Sequence, residues 1–181
     1  MGFSHHSMIL SCLFLIQNMA FATNDWATYC QEKNGTVTPM VATYSTQNGT
    51  LEGTSLPFCV FKKDNGQLTI GLQAFASLKP SIAATYMKTL PEIDENSPLF
   101  QGTAQNPAYN VCQHLGGTAI GFAVSGGFQE TNGNASDVCT FGDGSMVSAW
   151  TLIYMANHRE GYDEVKANVR AEPLLFPVPN P

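Results

Sequence analysis

The chain has 181 residues, of which 12% are charged and 44% are hydrophobic, and its formal net charge is −6. This hydrophobic share excludes a wholly disordered chain, and the length suits one ordinary domain or two small ones. No Lys or Arg occurs between residues 105 and 157. This gap argues against nucleic-acid binding, because that function needs clustered cations.

The first 22 residues are predicted to be a signal peptide. An apolar run from Met8 to Ile16 is followed by Ala20-Phe21-Ala22, the small-x-small pattern of a signal-peptidase site. The run is too short for a membrane-spanning helix, which takes about 20 residues, and no other segment reaches that length. We therefore expect export to the periplasm or the medium, and no stable membrane span. The alternative interpretation of the run is a buried N-terminal helix.

Residues 23–78 are predicted to form a first small unit. A helix is expected at residues 24–33, where Trp26 and Cys30 share one face. Two strands rich in β-branched and aromatic residues are expected to follow and to end in a tight turn. They run from Thr36 to Ser45 and from Leu56 to Lys62, and the turn is Asp64-Asn65-Gly66.

Residues 105–157 are predicted to form a second unit of the same kind. Asn106 is a typical helix cap, and Pro107 suits the first helical position. The expected later elements are a strand from Thr118 to Val124, a Gly-rich turn to Asn134, a strand from Asp137 to Phe141 and a helix from Ser145 to Ala156.

Two connecting segments complete the chain. Residues 79–104 are predicted to be a linker with a short helix at residues 82–90. Residues 158–181 are a C-terminal segment whose Pro-rich tail we expect to be extended. Its apolar residues, Leu174, Leu175 and Phe176, are predicted to dock the tail on the rest of the chain.

The two units match each other in sequence. In both, a Gly-Thr pair begins five residues after the first Cys, and the second Cys is followed by x-Phe and a turn with Asp. An Ala-aromatic pair comes later in each, as Ala74-Phe75 and Ala149-Trp150. The sequence therefore predicts an α+β fold of two small repeats, each with a short helix packed on an antiparallel hairpin followed by a further element.

Four cysteines follow the predicted signal peptide, namely Cys30, Cys59, Cys112 and Cys139. An even number in an exported chain indicates disulfides, and four cysteines allow three connectivities. Duplication would copy a bridge within its own unit, which favours Cys30–Cys59 and Cys112–Cys139. No Cys-x-x-Cys motif occurs, and only His114 and His158 follow the predicted signal peptide, so we predict no Cys/His metal site. We also expect no cofactor.

One set of motifs resembles a small bacterial family, the domain of unknown function numbered 333, whose members often carry a hemolysin label. The set is Asn106-Pro107-Ala108, Cys112, Gly116-Gly117, Cys139-Thr140-Phe141, Asp143-Gly144-Ser145 and Trp150. Residues 106–154 match closely, and residues 24–76 look like a degenerate copy that has Phe75 in place of Trp. The resemblance implies an exported or envelope-associated domain without an established activity.

Few residues suggest catalytic chemistry. His114, paired with Asp137 or Asp143, could serve a small hydrolase, but no nucleophile motif accompanies it. Asp143 is either a calcium ligand or a turn residue. Trp26, Asp143 and Trp150 are candidate residues of a binding surface, with core packing as the alternative for the two Trp residues.

These features favour a non-enzymatic exported binding module that recognises another protein or an envelope component. The small hydrolase is the first alternative. A membrane-active, hemolysin-like protein is the second, but it would need a basic amphipathic helix or a long alternating strand. Neither pattern occurs, and the acidic net charge opposes binding to anionic membranes.

Overall fold

A computed structural model describes residues 24–94, 96–104, 106–120, 126–130 and 135–179. The predicted signal peptide lies outside these residues. The fold is α+β, as predicted. Its helices are α1 (residues 24–32), α2 (Leu72–Ala76), α3 (Ile82–Thr89), α4 (Pro107–His114), α5 (Ala149–Ala156) and α6 (Tyr162–Ala167), with a 3-10 turn at Pro98–Phe100.

The described strands form one antiparallel sheet. They are β1 (Thr36–Thr46), β2 (Gly49–Lys63), β3 (Gly66–Gly71), β4 (Thr118–Ile120), β5 (Gly126–Glu130), β6 (Ala135–Ser136), β7 (Val138–Thr140) and β8 (Met146–Ser148). Their order across the sheet is β4-β7-β8-β3-β2-β1-β5-β6. The sheet therefore contains strands from both predicted units.

Two groups of three strands, β1-β2-β3 and β8-β7-β4, meet where Ile70 of β3 pairs with Val147 of β8. Both residues at this junction are completely buried. Each group follows a helix, α1 or α4, and each is followed by a helix, α2 or α5. The order of elements is thus similar in the two groups, except that β5 and β6 come between β4 and β7 along the chain, and duplication of a single unit stays a prediction.

Each group is bridged to its leading helix by a disulfide. Cys30 of α1 is bonded to Cys59 of β2, and Cys112 of α4 is bonded to Cys139 of β7. These bonds are the two predicted within-unit bridges, so this pairing is confirmed. In each case the bridge holds the helix against the middle strand of its group.

Each bridged helix ends in the same way. The N–H groups of Gly35 and Gly117 donate to the carbonyl oxygens of Cys30 and Cys112, both at 2.9 Å. A Cβ atom at either glycine would lie 2.5 Å from a disulfide sulfur. Glycine is therefore required here because the backbone passes directly over the bridge.

The sequence prediction was wrong for two segments. Ser145–Ala156 was predicted to be helical, but Met146–Ser148 form β8 and the helix begins only at Ala149. Hydrogen bonding to β3 and β7 on both sides holds these residues extended. The region predicted as a Gly-rich turn up to Asn134 contains β5, which pairs with β1, whereas residues 121–125 and 131–134 lie outside the described part of the chain.

The C-terminal segment packs on the helices. Phe176 makes an edge-to-face contact with Tyr86 of α3 at 5.5 Å, and the Leu174 N–H donates to Thr85 Oγ1 at 2.9 Å. Leu175 is fully exposed. This segment also contains α6, which begins after Gly161 at a φ of 79° and was not predicted from sequence.

Candidate functional site

His114 lies at the end of α4 and is exposed. Its Nδ1 atom lies 3.1 Å from the carbonyl oxygen of Leu99 and 3.0 Å from that of Asn110. Carbonyl oxygens only accept hydrogen bonds, so Nδ1 carries the proton and donates to them. The ring nitrogen on this side is therefore used to join α4 to the 3-10 turn.

The two carboxylates considered for a hydrolase hold backbone elements together. Asp137 accepts hydrogen bonds from Asn106 Nδ2 at 2.9 Å and from the Tyr109 hydroxyl at 2.6 Å. These bonds link the start of α4 to the strand that carries Cys139. Among the hydrogen bonds between described residues, none joins His114 to Asp137 or Asp143.

Asp143 connects the β7–β8 turn with the start of α3. Its carboxylate accepts from the Ser145 N–H at 3.0 Å, the Ser145 hydroxyl at 2.6 Å and the Ile82 N–H at 2.8 Å. Burial alone would raise the pKa of Asp143, but these hydrogen bonds favour the charged form and hold the pKa below its ordinary value of 3.8. The part of the chain that the structure describes contains no cluster of three or more His, Cys, Asp or Glu side chains that could hold a metal ion.

We expect Asp143→Asn to remove an acid-sensitive part of the stability. Because the pKa in the folded state is lowered, the charged carboxylate stabilises the fold above about pH 4. That contribution is lost as the pH falls through the lowered pKa. Thermal melts at pH 7 should show a lower Tm for Asp143→Asn than for the wild type, and the difference should narrow below pH 4.

Asp64→Asn is the matched control for this prediction, since Asp64 is the exposed residue of the corresponding β2–β3 turn. Its melts should parallel those of the wild type across the same pH range. An Asp143→Asn protein whose difference in Tm stays constant from pH 7 to pH 3 would show that the carboxylate charge is not involved.

The three candidate surface residues lie in different surroundings. Trp26 of α1 is half-buried and packs against the core. Trp150 of α5 is also half-buried, and its ring stacks on Tyr154 with centroids 5.4 Å apart. Only Trp150 lines an apolar cavity, and neither Trp26 nor Asp143 takes part in it.

This aromatic cavity has a volume of about 350 Å³, within the size range of small-ligand sites. Among the described residues, its wall is mostly apolar, with one amide side chain and no charged residue. The lining residues are Ile93, Phe100, Pro107, Trp150, Ile153, Tyr154 and Asn157. The linker therefore supplies one wall and α5 with its C-cap residue supplies the other, while Pro107 comes from the start of α4.

Helix α5 presents Trp150 and Tyr154 at positions i and i+4, which places the two rings on one face. The Arg159 guanidinium lies 4.1 Å from the centre of the Tyr154 ring. Tyr162, which is fully buried, contacts the same ring edge-to-face at 5.7 Å. These contacts fix the orientation of Tyr154 and, through stacking, support Trp150.

The opposite wall is held by two amide side chains. Asn157 accepts from the Ile93 N–H at 2.8 Å and donates to the Ile93 carbonyl at 2.9 Å. Asn110 donates to the Phe100 carbonyl at 3.0 Å. Linker residues without regular secondary structure thus have fixed positions beside α5, so the cavity is formed before any ligand binds.

The aromatic pair offers free polar groups at the cavity. Among the described residues, none forms a hydrogen bond with the Trp150 indole N–H or the Tyr154 hydroxyl. Neither group is buried without a partner, so both remain open to water or a ligand. The two aromatic residues that line the cavity therefore carry one hydrogen-bond donor and one group that can donate or accept.

An acidic depression adjoins the aromatic cavity. It has a volume of about 570 Å³ and is lined by Glu92, Ile93, Asp94 and Asn157. Ile93 and Asn157 are shared with the aromatic cavity. Both acids lie in the predicted linker of residues 79–104, where sequence analysis identified no site. The apolar residues Ile93 and Phe100 in this segment were the signal that part of it packs against the rest of the chain.

A further depression of about 510 Å³ lies between β2 and α6. Its charges are mixed, and Lys63 is paired there with Glu164 at 3.1 Å. Side chains that already neutralise each other leave less for a ligand to bind. The aromatic cavity with its acidic neighbour is therefore the stronger candidate site.

No protein-family model, curated protein or solved structure matches this chain. Among the described residues, no helix has the length and apolar character needed to cross a membrane.

Proposed function

We propose that the protein is an exported, non-enzymatic binding module of the bacterial envelope or secreted fraction, and that the aromatic cavity is its ligand site. The two disulfides support export, because such bonds persist in oxidising compartments. The bacterial envelope is the setting that the family resemblance implies. The ligand is another protein or an envelope component.

The half-exposed Trp150–Tyr154 pair is the observation that carries this proposal. Large aromatic rings with an apolar face and a free polar edge are typical of binding sites. Here the two rings stack on each other, the Arg159 guanidinium lies over the Tyr154 ring, and both rings line an open cavity of ligand size. A side chain that served only core packing would gain stability from full burial, which Trp150 does not have.

The non-enzymatic part of the proposal rests on the use of the acid–base groups. Hydrolysis would need a histidine that is oriented by a carboxylate and placed beside a nucleophile. His114 instead donates to two backbone carbonyls, and Asp143 accepts from the backbone of α3. Their positions are explained by structural roles at the ends of helices.

Trp150→Ala is expected to weaken ligand binding at least about thirtyfold, since truncating a central aromatic side chain in a binding site costs about 2 kcal/mol or more. The disulfide-bonded protein and the variant would be immobilised in parallel and exposed to envelope extract. Bound components would be quantified by mass spectrometry. Components retained by the wild type and lost from the variant are the expected result.

Trp26→Ala is the control, because it removes the other half-buried Trp from a helix outside the cavity. It should retain the same components as the wild type. Equal retention by the wild type and Trp150→Ala, with both proteins folded by circular dichroism, would contradict the proposed site.

A further inference from the structure

We infer that the aromatic cavity and the acidic depression form one groove, which binds a peptide segment of a partner protein in which an apolar side chain lies next to Lys or Arg. This inference rests on the proposed function and specifies its ligand. The apolar side chain would enter the aromatic cavity, and the basic side chain would reach Glu92 and Asp94.

The two depressions adjoin each other. Ile93 and Asn157 line both, and the pair of hydrogen bonds between them holds the shared wall in place. Ile93 is only 1% exposed, so its side chain does not project into the solvent between the two depressions. An extended peptide that places one side chain in the aromatic cavity can therefore place a neighbouring one over the acids.

The charge of the groove selects a cationic ligand. Glu92 and Asp94 are both exposed, and the chain has no Lys or Arg between Lys88 and Arg159. Opposite charge steers a ligand to such a surface, whereas phosphate and carboxylate groups are repelled. The charge pattern thus excludes anionic ligands from the acidic end.

Arg159 does not neutralise this end of the groove. Its guanidinium is stacked over the Tyr154 ring and donates to the backbone carbonyl of Asn65. That carbonyl belongs to the β2–β3 turn and lines neither depression of the groove. The arginine therefore acts as a support for the aromatic pair.

The aromatic end suits a peptide in particular. A cavity of about 350 Å³ accommodates one large apolar side chain. The free indole N–H of Trp150 can donate to a backbone carbonyl of the ligand, and the Tyr154 hydroxyl can accept from a backbone N–H. A glycan could also stack on these rings, but it would gain nothing from the acidic end.

Selection from a random heptapeptide display library on the immobilised, disulfide-bonded protein tests the inference. We expect enrichment of sequences with an aromatic, Leu or Pro residue directly beside Lys or Arg. Binding of a synthetic, fluorescein-labelled copy of an enriched peptide would be measured by fluorescence anisotropy at low and high salt. Its Kd should rise several-fold between roughly 0.05 and 0.5 M salt, because salt screens exposed charges.

Variants separate the two ends of the groove. Glu92→Gln with Asp94→Asn should weaken binding of the peptide about three- to tenfold at low salt, in keeping with exposed charge pairs. Asn at position 94 keeps the oxygen that accepts from the Asn96 N–H. Glu52→Gln with Glu172→Gln, which changes two exposed acids outside the groove, should leave the Kd unchanged.

The failure of the inference and that of the proposed function give different results. The peptide inference is overturned if the library yields no enriched peptides, or only acidic or uncharged ones. It is also overturned if the double variant Glu92→Gln with Asp94→Asn binds the enriched peptide with unchanged Kd. If the peptide inference fails but the wild type binds another ligand, for example on a glycan array, and Trp150→Ala does not bind it, the proposed function stands. If Trp150→Ala binds every wild-type ligand with unchanged affinity, both are wrong.

Discussion

Cys112→Ala is expected to lower the free energy of unfolding by about 3–4 kcal/mol. The Cys112–Cys139 bridge closes a loop with a sequence separation of 27 residues, and its loss lets the unfolded chain adopt many more conformations. Both sulfurs are fully buried, so packing is lost as well. A change of this size is a large share of the stability of a domain, which is about 5–15 kcal/mol.

Urea denaturation of the purified variants measures this loss. His114→Ala is the matched control, because it lies two residues later on α4 and removes an exposed ring. It should change the unfolding free energy by no more than about 1 kcal/mol, the worth of an ordinary hydrogen bond. If the Cys112→Ala and His114→Ala variants unfold at the same urea concentration, the bridge adds nothing to stability.

The second large effect is expected for Gly117→Ala, at about 2–3 kcal/mol of destabilisation, the upper part of the usual range for overpacking. The new Cβ would lie 2.5 Å from the Cys139 sulfur and 3.0 Å from both the Cys112 sulfur and Phe141 Cε1. A disulfide cannot rotate away as a flexible side chain can. The helix end or the bridge must therefore shift.

Gly142→Ala provides a control in the same region. A Cβ there would meet no atom within 4 Å, and the backbone is not in the left-handed region. Its free energy of unfolding should lie within about 0.5 kcal/mol of the wild-type value, the usual range for surface substitutions. Gly35→Ala, where the Cβ would lie 2.5 Å from the Cys59 sulfur, should resemble Gly117→Ala. Equal stability of the Gly117 and Gly142 variants would contradict the steric argument.

The bridged helices and their strands could be predicted because their signals are local. Asn106 and Pro107 start α4 as their side chains dictate, with Asn106 Oδ1 accepting from the Ala108 N–H at 3.1 Å. The spacing from each first Cys to a following glycine is set by the helix end passing over the bridge. Repetition of this spacing in two units made the disulfide pairing readable without a structure.

The parts that sequence analysis missed depend on distant partners. Residues Met146–Ser148 are apolar enough for a helix, and only pairing with β3 and β7 makes them a strand. In the same way β5 exists through its pairing with β1. Strands β3 and β1 lie far outside the window of residues over which hydrophobic periodicity is read.

The candidate site also depends on residues that are distant in sequence. Trp150 was identified as a surface candidate from sequence, but Trp26 and Asp143 were grouped with it and lie outside the cavity. The actual partners, Phe100 and Ile93, come from the linker, where hydrogen bonds from Asn110 and Asn157 hold the backbone. Nothing in a local pattern indicates which loop a particular Asn will hold.

The pairing of the strands bears on where the protein can associate with other chains. Among the described residues, the outermost strands of the sheet are β4, with three residues, and β6, with two. Strand β2 has 15 residues, but β3 pairs only with Phe58–Lys63, so the first half of β2 pairs with β1 alone in the described part of the chain. This half is largely exposed, and Leu51 in it is 60% exposed. A long exposed edge offers unpaired N–H and C=O groups to other chains, whereas a very short edge offers few. The first half of β2 is therefore where intermolecular strand pairing would begin at high concentration.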